Sequence, residues 1–367
     1  MKFKYPVYQP SLNGNEKKYV LECIDSTWIS SKGKFINEFE KKFADYLGVE
    51  YAASVSNGTV ALHVALLALG IGPGDEVIVP TFTYIASVNS ITYTGAKPVF
   101  VDSDPQSWQM DIDDTRKKIT PKTKAILAVH LYGHPCEVGE LRKIADENKI
   151  SLVEDTAEAL GSEYEGKKVG TFGDISTFSF FGNKTITTGE GGMVVTNSKE
   201  LHEKCVHIKG QGLAKDAEYW HDIIGYNYRI TNICAAIGLA QLERVKDIIE
   251  SKRDIAKWYK DYLKDLPVLF HDELDKRFFS TYWMISILVK DSGTRQNLRK
   301  HLAENGIETR PAFHPVHTMP MYTKLGYQFP VAEDLGARGI NLPSYPQLTK
   351  EDVKLISNTI RNFYERG

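Results

Sequence analysis

The chain has 367 residues, which is long enough for two domains or for one large α/β domain. Hydrophobic residues make up 42% and charged residues 25%, a balance that is typical of globular proteins and excludes disordered and fibrous classes. The formal net charge of −2 excludes an overall basic field that would draw the chain to nucleic acid or to an anionic membrane.

The sequence also carries no pattern typical of metal, disulfide or membrane chemistry. Cys23, Cys136, Cys205 and Cys234 are far apart and form no C-x-x-C pair, so we expect free thiols. The N-terminus MKFKYPVYQP lacks the apolar core of a signal peptide. The longest apolar run, residues 60–71, is too short to span a membrane. We therefore predict a cytoplasmic protein that binds no metal.

Between about residues 50 and 200, short β-rich runs alternate with helical patterns. The strand candidates are Glu76–Pro80, Pro98–Asp102, Lys124–Val129, Ser151–Asp155 and Ile175–Phe180. The helix candidates between them include Val60–Leu69 and Glu137–Asn148. The strands are continuously apolar rather than alternating, which predicts a parallel sheet covered on both faces. The fold class is therefore α/β and doubly wound.

The pattern changes in the last third of the chain. Residues 187–197 predict a glycine-containing turn into another strand, and residues 231–263 predict one bent helix or two helices. A strand at Tyr282–Val289, a helix at Thr294–Glu304 and a terminal helix at Glu351–Tyr364 follow. We predict a large domain over residues 1–245, with its N-terminal segment near the active site, and a smaller C-terminal α+β domain over residues 246–367.

Three local features could carry chemistry. Gly58 and Thr59 stand directly before a predicted helix, where free amides can bind a phosphate, although an ordinary helix cap is the simpler explanation. Asp155 ends an apolar strand, where α/β sheets place ligand groups, but it could equally cap a helical turn after the strand. Lys184 lies among apolar and small residues, which lowers the cost of losing its proton, although a surface lysine is the default.

Together the three features are more specific than any of them alone. A phosphate-binding helix start, a strand-end Asp155 and Lys184 further along the chain suggest a pyridoxal phosphate site. The helix start would hold the phosphate, the aspartate would pair with the pyridinium nitrogen, and the lysine would bond to the aldehyde carbon. Tyr84 would then stack near the ring, whereas without the cofactor it is a core aromatic.

Longer motifs resemble a known family. The segments SNGTVALHVALLALG, PTFTYIAS, VEDTAEALGS, FSFFGNKTITTGEGGM and GYNYRITNICAAIGLAQL are similar to those of DegT/DnrJ-type sugar aminotransferases, which are fold-type I pyridoxal phosphate enzymes. The resemblance runs from YPVYQPSL near the N-terminus to LPSYPQL near the C-terminus, nearly the whole chain. It implies a large, mostly parallel sheet domain with a smaller C-terminal domain.

The resemblance implies roles at matching positions around the cofactor. Lys184 would be the catalytic lysine bonded to the cofactor, and Asp155 the partner of its ring nitrogen. Glu158 stands where many members have Gln or His near the ring hydroxyl. The remaining implied cofactor-binding residues are Gly58, Thr59 and Ser179 for the phosphate, Tyr84 for ring stacking, and Asn227, donated to the phosphate across a dimer interface.

The resemblance also implies a reaction. The lysine at position 184 predicts transamination, because related dehydratases have His there. L-Glutamate would supply the amino group, pyridoxamine phosphate would form as the intermediate, and the acceptor would be GDP-4-keto-6-deoxy-D-mannose, for O-antigen synthesis in lipopolysaccharide. Arg229, His314 and His317 match positions near the sugar-nucleotide cleft. The implied assembly is at least a homodimer.

Three alternatives remain open from the sequence. The acceptor could be a keto-sugar linked to UDP or dTDP, a change that keeps every cofactor residue. The enzyme could catalyse another pyridoxal phosphate reaction, such as dehydration. The chain could also be a non-catalytic sensor or scaffold with the same fold.

Overall fold

The computed structural model describes residues 3–323, 326 and 328–366. The strands, in chain order, are β1 (Tyr51–Val55), β2 (Glu76–Pro80), β3 (Lys97–Val101), β4 (Thr123–Val129), β5 (Ser151–Asp155), β6 (Glu163–Tyr164), β7 (Lys167–Lys168), β8 (Ile175–Ser179), β9 (Gly192–Thr196), β10 (Leu269–Phe270), β11 (Phe278–Phe279), β12 (Ile285–Leu288), β13 (Arg310–Pro311) and β14 (Gly339–Leu342). The helices are α1 (Glu16–Asp25), α2 (Lys34–Leu47), α3 (Gly58–Ala68), α4 (Ile85–Tyr93), α5 (Ile112–Lys117), α6 (Val138–Asn148), α7 (Lys199–Lys209), α8 (Asn232–Leu242), α9 (Val245–Leu263), α10 (Ser292–Glu304), α11 (Pro330–Arg338) and α12 (Lys350–Arg366). Within these residues, no helix combines the length and apolar character needed to cross a membrane.

A seven-stranded central sheet organises the first 200 residues. Its strand order is β1-β9-β8-β5-β4-β2-β3. The pairs among β8, β5, β4, β2 and β3 are parallel, and β9 is antiparallel to both of its neighbours. Strands β2 and β4 are buried along almost their whole length, as expected for a sheet covered on both faces. The predicted α/β class with a mostly parallel sheet is confirmed.

Most predicted elements agree with the observed ones within two residues, but the strand predicted over Tyr282–Val289 is confined to β12, Ile285–Leu288. Strands β2 and β5 have the predicted bounds, while β8 ends one residue earlier, at Ser179. Residues 231–263 form two helices, α8 and α9. Strand β1 was not predicted, because its small residues Ala52, Ala53 and Ser54 give neither an apolar run nor an alternating pattern. It forms a strand because it pairs with β9.

The reversal at β9 places a hairpin loop at the carboxyl end of β8. The amide of Phe180 donates to the carbonyl of Gly191 (2.8 Å), and the amide of Thr188 donates to the carbonyl of Phe180 (2.9 Å). Because β9 runs antiparallel to β8, the connecting residues 180–191 start and end at the same edge of the sheet. Lys184 lies in this loop and is therefore held at the carboxyl edge of the central sheet.

A second sheet, which we call the C-terminal sheet, has the order β10-β12-β14-β13 with antiparallel pairing. The N-terminal segment joins it, since Tyr5 forms a parallel bridge with Ile307 and the amide of Ser344 donates to the carbonyl of Val7. Helix α9 contributes to two apolar clusters: its first turns belong to one with residues of α2 and α8, and its last turns belong to one with residues of the C-terminal sheet. The domain division after residue 245 stays a prediction.

Candidate active site

The start of α3 and the end of β8 meet at the carboxyl edge of the central sheet, where α/β proteins bind ligands. The Asn57 side chain caps α3 by accepting a hydrogen bond from the amide of Val60 (3.0 Å). A β-carbon on Gly58 would lie only 2.6 Å from the β-carbon of Ser179. Glycine is therefore required for this approach. It brings the partial positive charge of the helix start, at Gly58 and Thr59, against Ser179.

Lys184 lies in the loop that follows Ser179, and its side chain is only 13% exposed. The amide of Lys184 donates to the carbonyl of Phe181 (2.9 Å), which forms the turn. Its Nζ lies 3.7 Å from Oε1 of Glu158 and 3.8 Å from the ring centroid of Trp283. Burial lowers the pKa of Lys184, although the charges of Glu158 and Asp155 act in the opposite direction. The result is a buried amine that loses its proton more easily than a surface lysine.

Asp155 ends β5 and is buried. Ser87 of α4 donates its hydroxyl to Oδ2 (2.7 Å), and the amide of Ala157 donates to Oδ1 (3.1 Å). Burial raises the pKa of Asp155, while these two hydrogen bonds and the charge of Lys184 act to lower it. The carboxyl group is thus fixed in direction by two donors, and a nearby cation favours its ionised form.

Glu158 follows in the turn after β5, and both of its carboxyl oxygens have partners. The amide of Tyr132 donates to Oε2 (2.8 Å), while Oε1 faces Lys184. Tyr132, which donates this amide, has φ 56°, a left-handed conformation that is unfavourable for a bulky residue. Burial raises the pKa of Glu158 to about 7, so the group exchanges its proton near neutral pH.

Glu154 precedes Asp155 in β5 and is a further buried acidic residue next to the site. It is fully buried beside Asp155 and faces the other side of the sheet, as alternate strand residues do. Nδ1 of His130 accepts from the amide of Cys136 (3.0 Å), so Nε2 carries the proton and donates to Glu154 (3.0 Å). The other donors to Glu154 are the amides of Gly170, Phe172 and Gly173 and the hydroxyl of Ser176.

These donors hold Glu154 as a carboxylate. Burial alone would raise the pKa of Glu154, but the hydrogen bonds from His130 and the amides outweigh burial and lower it. The carboxylate ties the loop of residues 170–173 to β5 directly beneath Asp155. Two adjacent acidic residues in a buried strand were the signal in the sequence, since they must point to opposite faces.

Tyr84 and His314, two other residues predicted for the site, are exposed to solvent. Tyr84 immediately precedes α4 and is 56% exposed, with its ring centroid 5.6 Å from that of Phe313. His314, next to Phe313, is exposed. A flat ligand could lie against the exposed face of the Tyr84 ring, and its predicted stacking role stays a prediction.

His317 is buried, and both of its ring nitrogens have partners in the protein. Nδ1 lies 2.7 Å from Oγ1 of Thr81, and Nε2 lies 3.1 Å from Oε1 of Glu333. The ring connects the loop after β2 to the segment that carries α11. The predicted contact of His317 with the sugar nucleotide stays a prediction, and these hydrogen bonds give the ring a structural role.

Asn227 and Arg229 are held by each other and by a neighbouring segment. Nε of Arg229 donates to Oδ1 of Asn227 (3.2 Å), and Nη2 donates to Oε1 of Gln211 (3.1 Å). Arg229 also forms an antiparallel bridge with Val55 at the end of β1, whereas Asn227 is exposed. Within the described residues of this one chain, the polar contacts of the Asn227 side chain do not include Lys184 or Asp155.

Comparison with known proteins finds relatives that are similar over nearly the whole chain. The chain is 64% identical over 359 residues to the GDP-perosamine synthase of Escherichia coli O157:H7, covering 98% of each chain. It is 54% identical over 363 residues to the GDP-perosamine synthase of Vibrio cholerae, covering 98% of this chain and 99% of that one. The family profile matches residues 10–361.

A solved structure supports the architecture. A putative sugar aminotransferase from Streptococcus pneumoniae, solved in a PMP form and in a PLP form, superposes with a TM-score of 0.94 at 28% identity. The match to the PMP form covers 98% of this chain and 99% of that one. The predicted fold type and the family resemblance are confirmed. The buried lysine at the carboxyl edge of a mostly parallel sheet thus lies in a chain that belongs to the DegT/DnrJ/EryC1/StrS aminotransferase family.

Proposed function

We propose that this enzyme transfers the amino group of L-glutamate to C4 of GDP-4-keto-6-deoxy-D-mannose. The products would be GDP-perosamine and 2-oxoglutarate, with GDP-perosamine serving O-antigen synthesis in lipopolysaccharide. The proposal is supported by sequence identities of 64% and 54%, over nearly the full length of the chain, to two proteins named GDP-perosamine synthase. It is favoured over a UDP- or dTDP-linked acceptor because three relatives at 64%, 54% and 50% identity share this one name.

One observation carries the chemistry: Lys184 is a buried amine with a lowered pKa that lies between a carboxyl group and an aromatic ring. The surrounding groups fit pyridoxal phosphate. Gly58, Thr59 and Ser179 form a cradle with no room for a side chain on the glycine, suited to a phosphate. Asp155 offers a fixed carboxylate to a protonated ring nitrogen, and Tyr84 an exposed ring for stacking. When bound, the cofactor supplies an electron-poor ring that stabilises negative charge on a substrate carbon.

With the cofactor bound, different residues of the chain would hold or transfer different protons. Lys184 Nζ would accept the proton released from Cα of the amino donor and, in the second half-reaction, deliver a proton to C4 of the sugar. Asp155 would hold the proton on the ring nitrogen. Glu158 lies 3.7 Å from Nζ and has a pKa of about 7, so its carboxyl group could share a proton with the lysine.

We also propose that the active unit is a homodimer, to which each partner contributes Asn227. The segment around Asn227 carries strongly exposed apolar side chains, as interfaces do. Tyr219 is 92%, Ile224 89% and Trp220 65% exposed. A cytoplasmic location is supported by the absence of disulfides among the described cysteines, all of which are free.

The test is a visible absorbance spectrum of the protein with pyridoxal phosphate, recorded before and after each substrate. We expect a band that fades with L-glutamate and returns with GDP-4-keto-6-deoxy-D-mannose. Lys184→Ala should bind cofactor without forming this band and should give no amino sugar. If UDP- or dTDP-linked keto-sugars restore the band and the GDP sugar does not, the acceptor assignment is wrong. Full product formation by Lys184→Ala would overturn the role of the lysine.

A further inference from the structure

The peptide that carries Lys184 is held by two aromatic side chains from outside the central sheet. Nε1 of Trp283 donates a hydrogen bond to the carbonyl oxygen of Asn183 (2.6 Å). The hydroxyl of Tyr8 donates to the carbonyl oxygen of Lys184 itself (2.5 Å). Burial raises the pKa of Tyr8, so its hydroxyl remains a donor at neutral pH. Two consecutive carbonyls of one hairpin loop are thus fixed from two distant parts of the chain.

Both donors are joined by short segments of chain to the C-terminal sheet, while the Trp283 ring itself packs beside Tyr132 in the core of the central sheet. Trp283 lies two residues before β12, and its neighbour Tyr282 packs into the core beneath that sheet. Tyr8 follows Val7, whose carbonyl accepts from the amide of Ser344, two residues after the end of β14. The carbonyl of Ser344 also accepts from Lys252, whose Nζ lies 5.3 Å from the centroid of the Tyr8 ring. We call residues 180–191, the loop between β8 and β9 that carries Lys184, the lysine loop. Its position is therefore tied to the C-terminal sheet.

Trp283 makes a second contact, with the Lys184 side chain. Nζ lies 3.8 Å from the centroid of its ring, and Trp283 is only 4% exposed. A cation held over the face of an indole is attracted by the ring, and more strongly when water is excluded. The charged groups that face Nζ are Glu158 at 3.7 Å and, further away, Asp155. The ring and these carboxyl groups favour the ammonium, whereas burial favours the neutral amine.

We propose that Trp283 and Tyr8 are positioning residues for Lys184, through which the C-terminal sheet sets where the lysine nitrogen lies and supports its charged form. This inference rests on the proposed role of Lys184 in moving the proton. Loss of the indole ring should make the ammonium less stable. Loss of the Tyr8 hydroxyl should free the carbonyl end of the loop without changing what surrounds Nζ.

The first test measures the pKa of Lys184 in the full-length chain freed of cofactor. Trace acetylation with acetic anhydride at a series of pH values, read by mass spectrometry, reports the fraction of neutral amine. Trp283→Leu should lower the pKa of Lys184 by about 0.5–1 unit. Trp283→Phe keeps an aromatic face and should give a smaller shift. Trp108→Leu is the matched control, since Trp108 is equally buried but stacks on His271.

The outcomes of this test are distinct. A lowered pKa in Trp283→Leu with no change in Trp108→Leu supports the inference. An unchanged or raised pKa in Trp283→Leu overturns it, because burial alone would then govern the lysine. An equal fall in Trp108→Leu also overturns it, because the shift would then come from a general loss of packing.

The second test uses Tyr8→Phe and compares it with Tyr259→Phe in the loaded enzyme. Tyr259 is a buried tyrosine whose hydroxyl donates to the carbonyl of Pro343 (3.0 Å), so the same kind of bond is lost away from Lys184. Tyr8→Phe should lower kcat about tenfold with unchanged KM for both substrates, because a misplaced group slows the chemical step. If both variants lose a similar amount of Tm but only Tyr8→Phe shows a lower kcat, the result supports the role of Tyr8 as a positioning residue. Equal kcat in the two variants would overturn it.

Failure of the proposed function can be told apart from failure of this inference. Reduction of the loaded wild-type chain with borohydride fixes the cofactor to the residue that carries it, and mass spectrometry identifies that residue. A label on a residue other than Lys184 would refute the proposed function. The pKa shift in Trp283→Leu is measured without cofactor and tests the contact between the ring and the lysine independently.

Discussion

At the scale of single residues, two carboxyl groups at the carboxyl edge of the central sheet lie in different environments. Asp155 accepts from two fixed donors, whereas Glu158 accepts from a single amide and lies nearer to Lys184. Burial raises the pKa of both groups, and the two hydrogen-bond donors to Asp155 act to lower its pKa. The donors fix the direction of the Asp155 carboxyl group, and the pKa of Glu158, raised to about 7, lets Glu158 exchange a proton near neutral pH.

Asp155→Asn tests the first of these roles. The amide cannot hold a proton on the cofactor's ring nitrogen, so we expect kcat to fall at least a hundredfold, while the protein stays folded because Asn can still accept from Ser87. Steady-state kinetics and circular dichroism measure the two effects. A rate near that of the wild type would mean that another residue faces the nitrogen.

Glu158→Gln tests the second role through pH. The pKa of Glu158 is raised from 4.5 to about 7, so the folded state binds a proton more tightly than the unfolded state does. In the wild type, the proton bound by Glu158 stabilises the folded state fully below pH 4.5, and this stabilisation is lost as the pH rises through about 7. The variant should therefore gain Tm relative to the wild type between pH 5 and pH 8. Glu50→Gln, at an exposed glutamate, is the control and should follow the wild type. A constant difference in Tm across this range would contradict the prediction.

At the scale of elements, the site depends on how closely helix and strand ends approach each other. Helix α3 begins against the last residue of β8, and the hairpin from β8 to β9 returns the chain beside them. Glu154 holds the loop of residues 170–173 under β5 from the opposite face. The positions of the binding groups thus follow from backbone contacts that leave little space.

Gly58→Ala tests this close approach. The new β-carbon would lie 2.6 Å from Cβ of Ser179, so α3 must shift away from β8 and the phosphate cradle must widen. We expect pyridoxal phosphate to bind at least tenfold more weakly, measured by fluorescence titration. Gly72→Ala is the control, because its β-carbon would have its nearest neighbour at 3.9 Å. Equal affinities in the two variants would show that the cradle tolerates a side chain.

At the scale of the whole molecule, the site combines the central sheet with groups from both ends of the chain. The lysine loop belongs to the central sheet, and Tyr8 and Trp283 reach it from the side of the C-terminal sheet. Asn227 is exposed on a segment with strongly exposed apolar residues. A second copy that covers this segment would complete the site that we propose.

Subunit mixing tests this assembly. Lys184→Ala and Asn227→Ala should each be inactive, and in a mixed dimer one site has both defects while the other has neither. Random mixing of equal amounts makes half of the dimers mixed, with one working site of two, so about a quarter of wild-type activity should return. Separately tagged chains verify the mixed dimers. No recovery in verified mixed dimers would mean that each site is built within one chain.

Much of this organisation could be predicted from the sequence. Apolar residues at their centres predicted the bounds of β2 and β5, because the middle of a strand buried on both faces is apolar. The position of Asp155 at a strand end and of Lys184 before a glycine-rich turn placed both at the same edge of the sheet. These signals are local in the chain and need only the periodicity of side chains and the direction of parallel strands.

The tertiary structure alone decided the rest. Strand β1 forms because β9 lies beside it, and Glu158, which faces Lys184, is held by the amide of Tyr132 from another loop. Tyr8 and Trp283 are separated from the residues that they bond in the lysine loop by 176 and 100 positions of chain. The sequence by itself determined the elements and the type of chemistry. The contacts that tune this chemistry join residues far apart in the chain, so only the packing of the folded chain could reveal them.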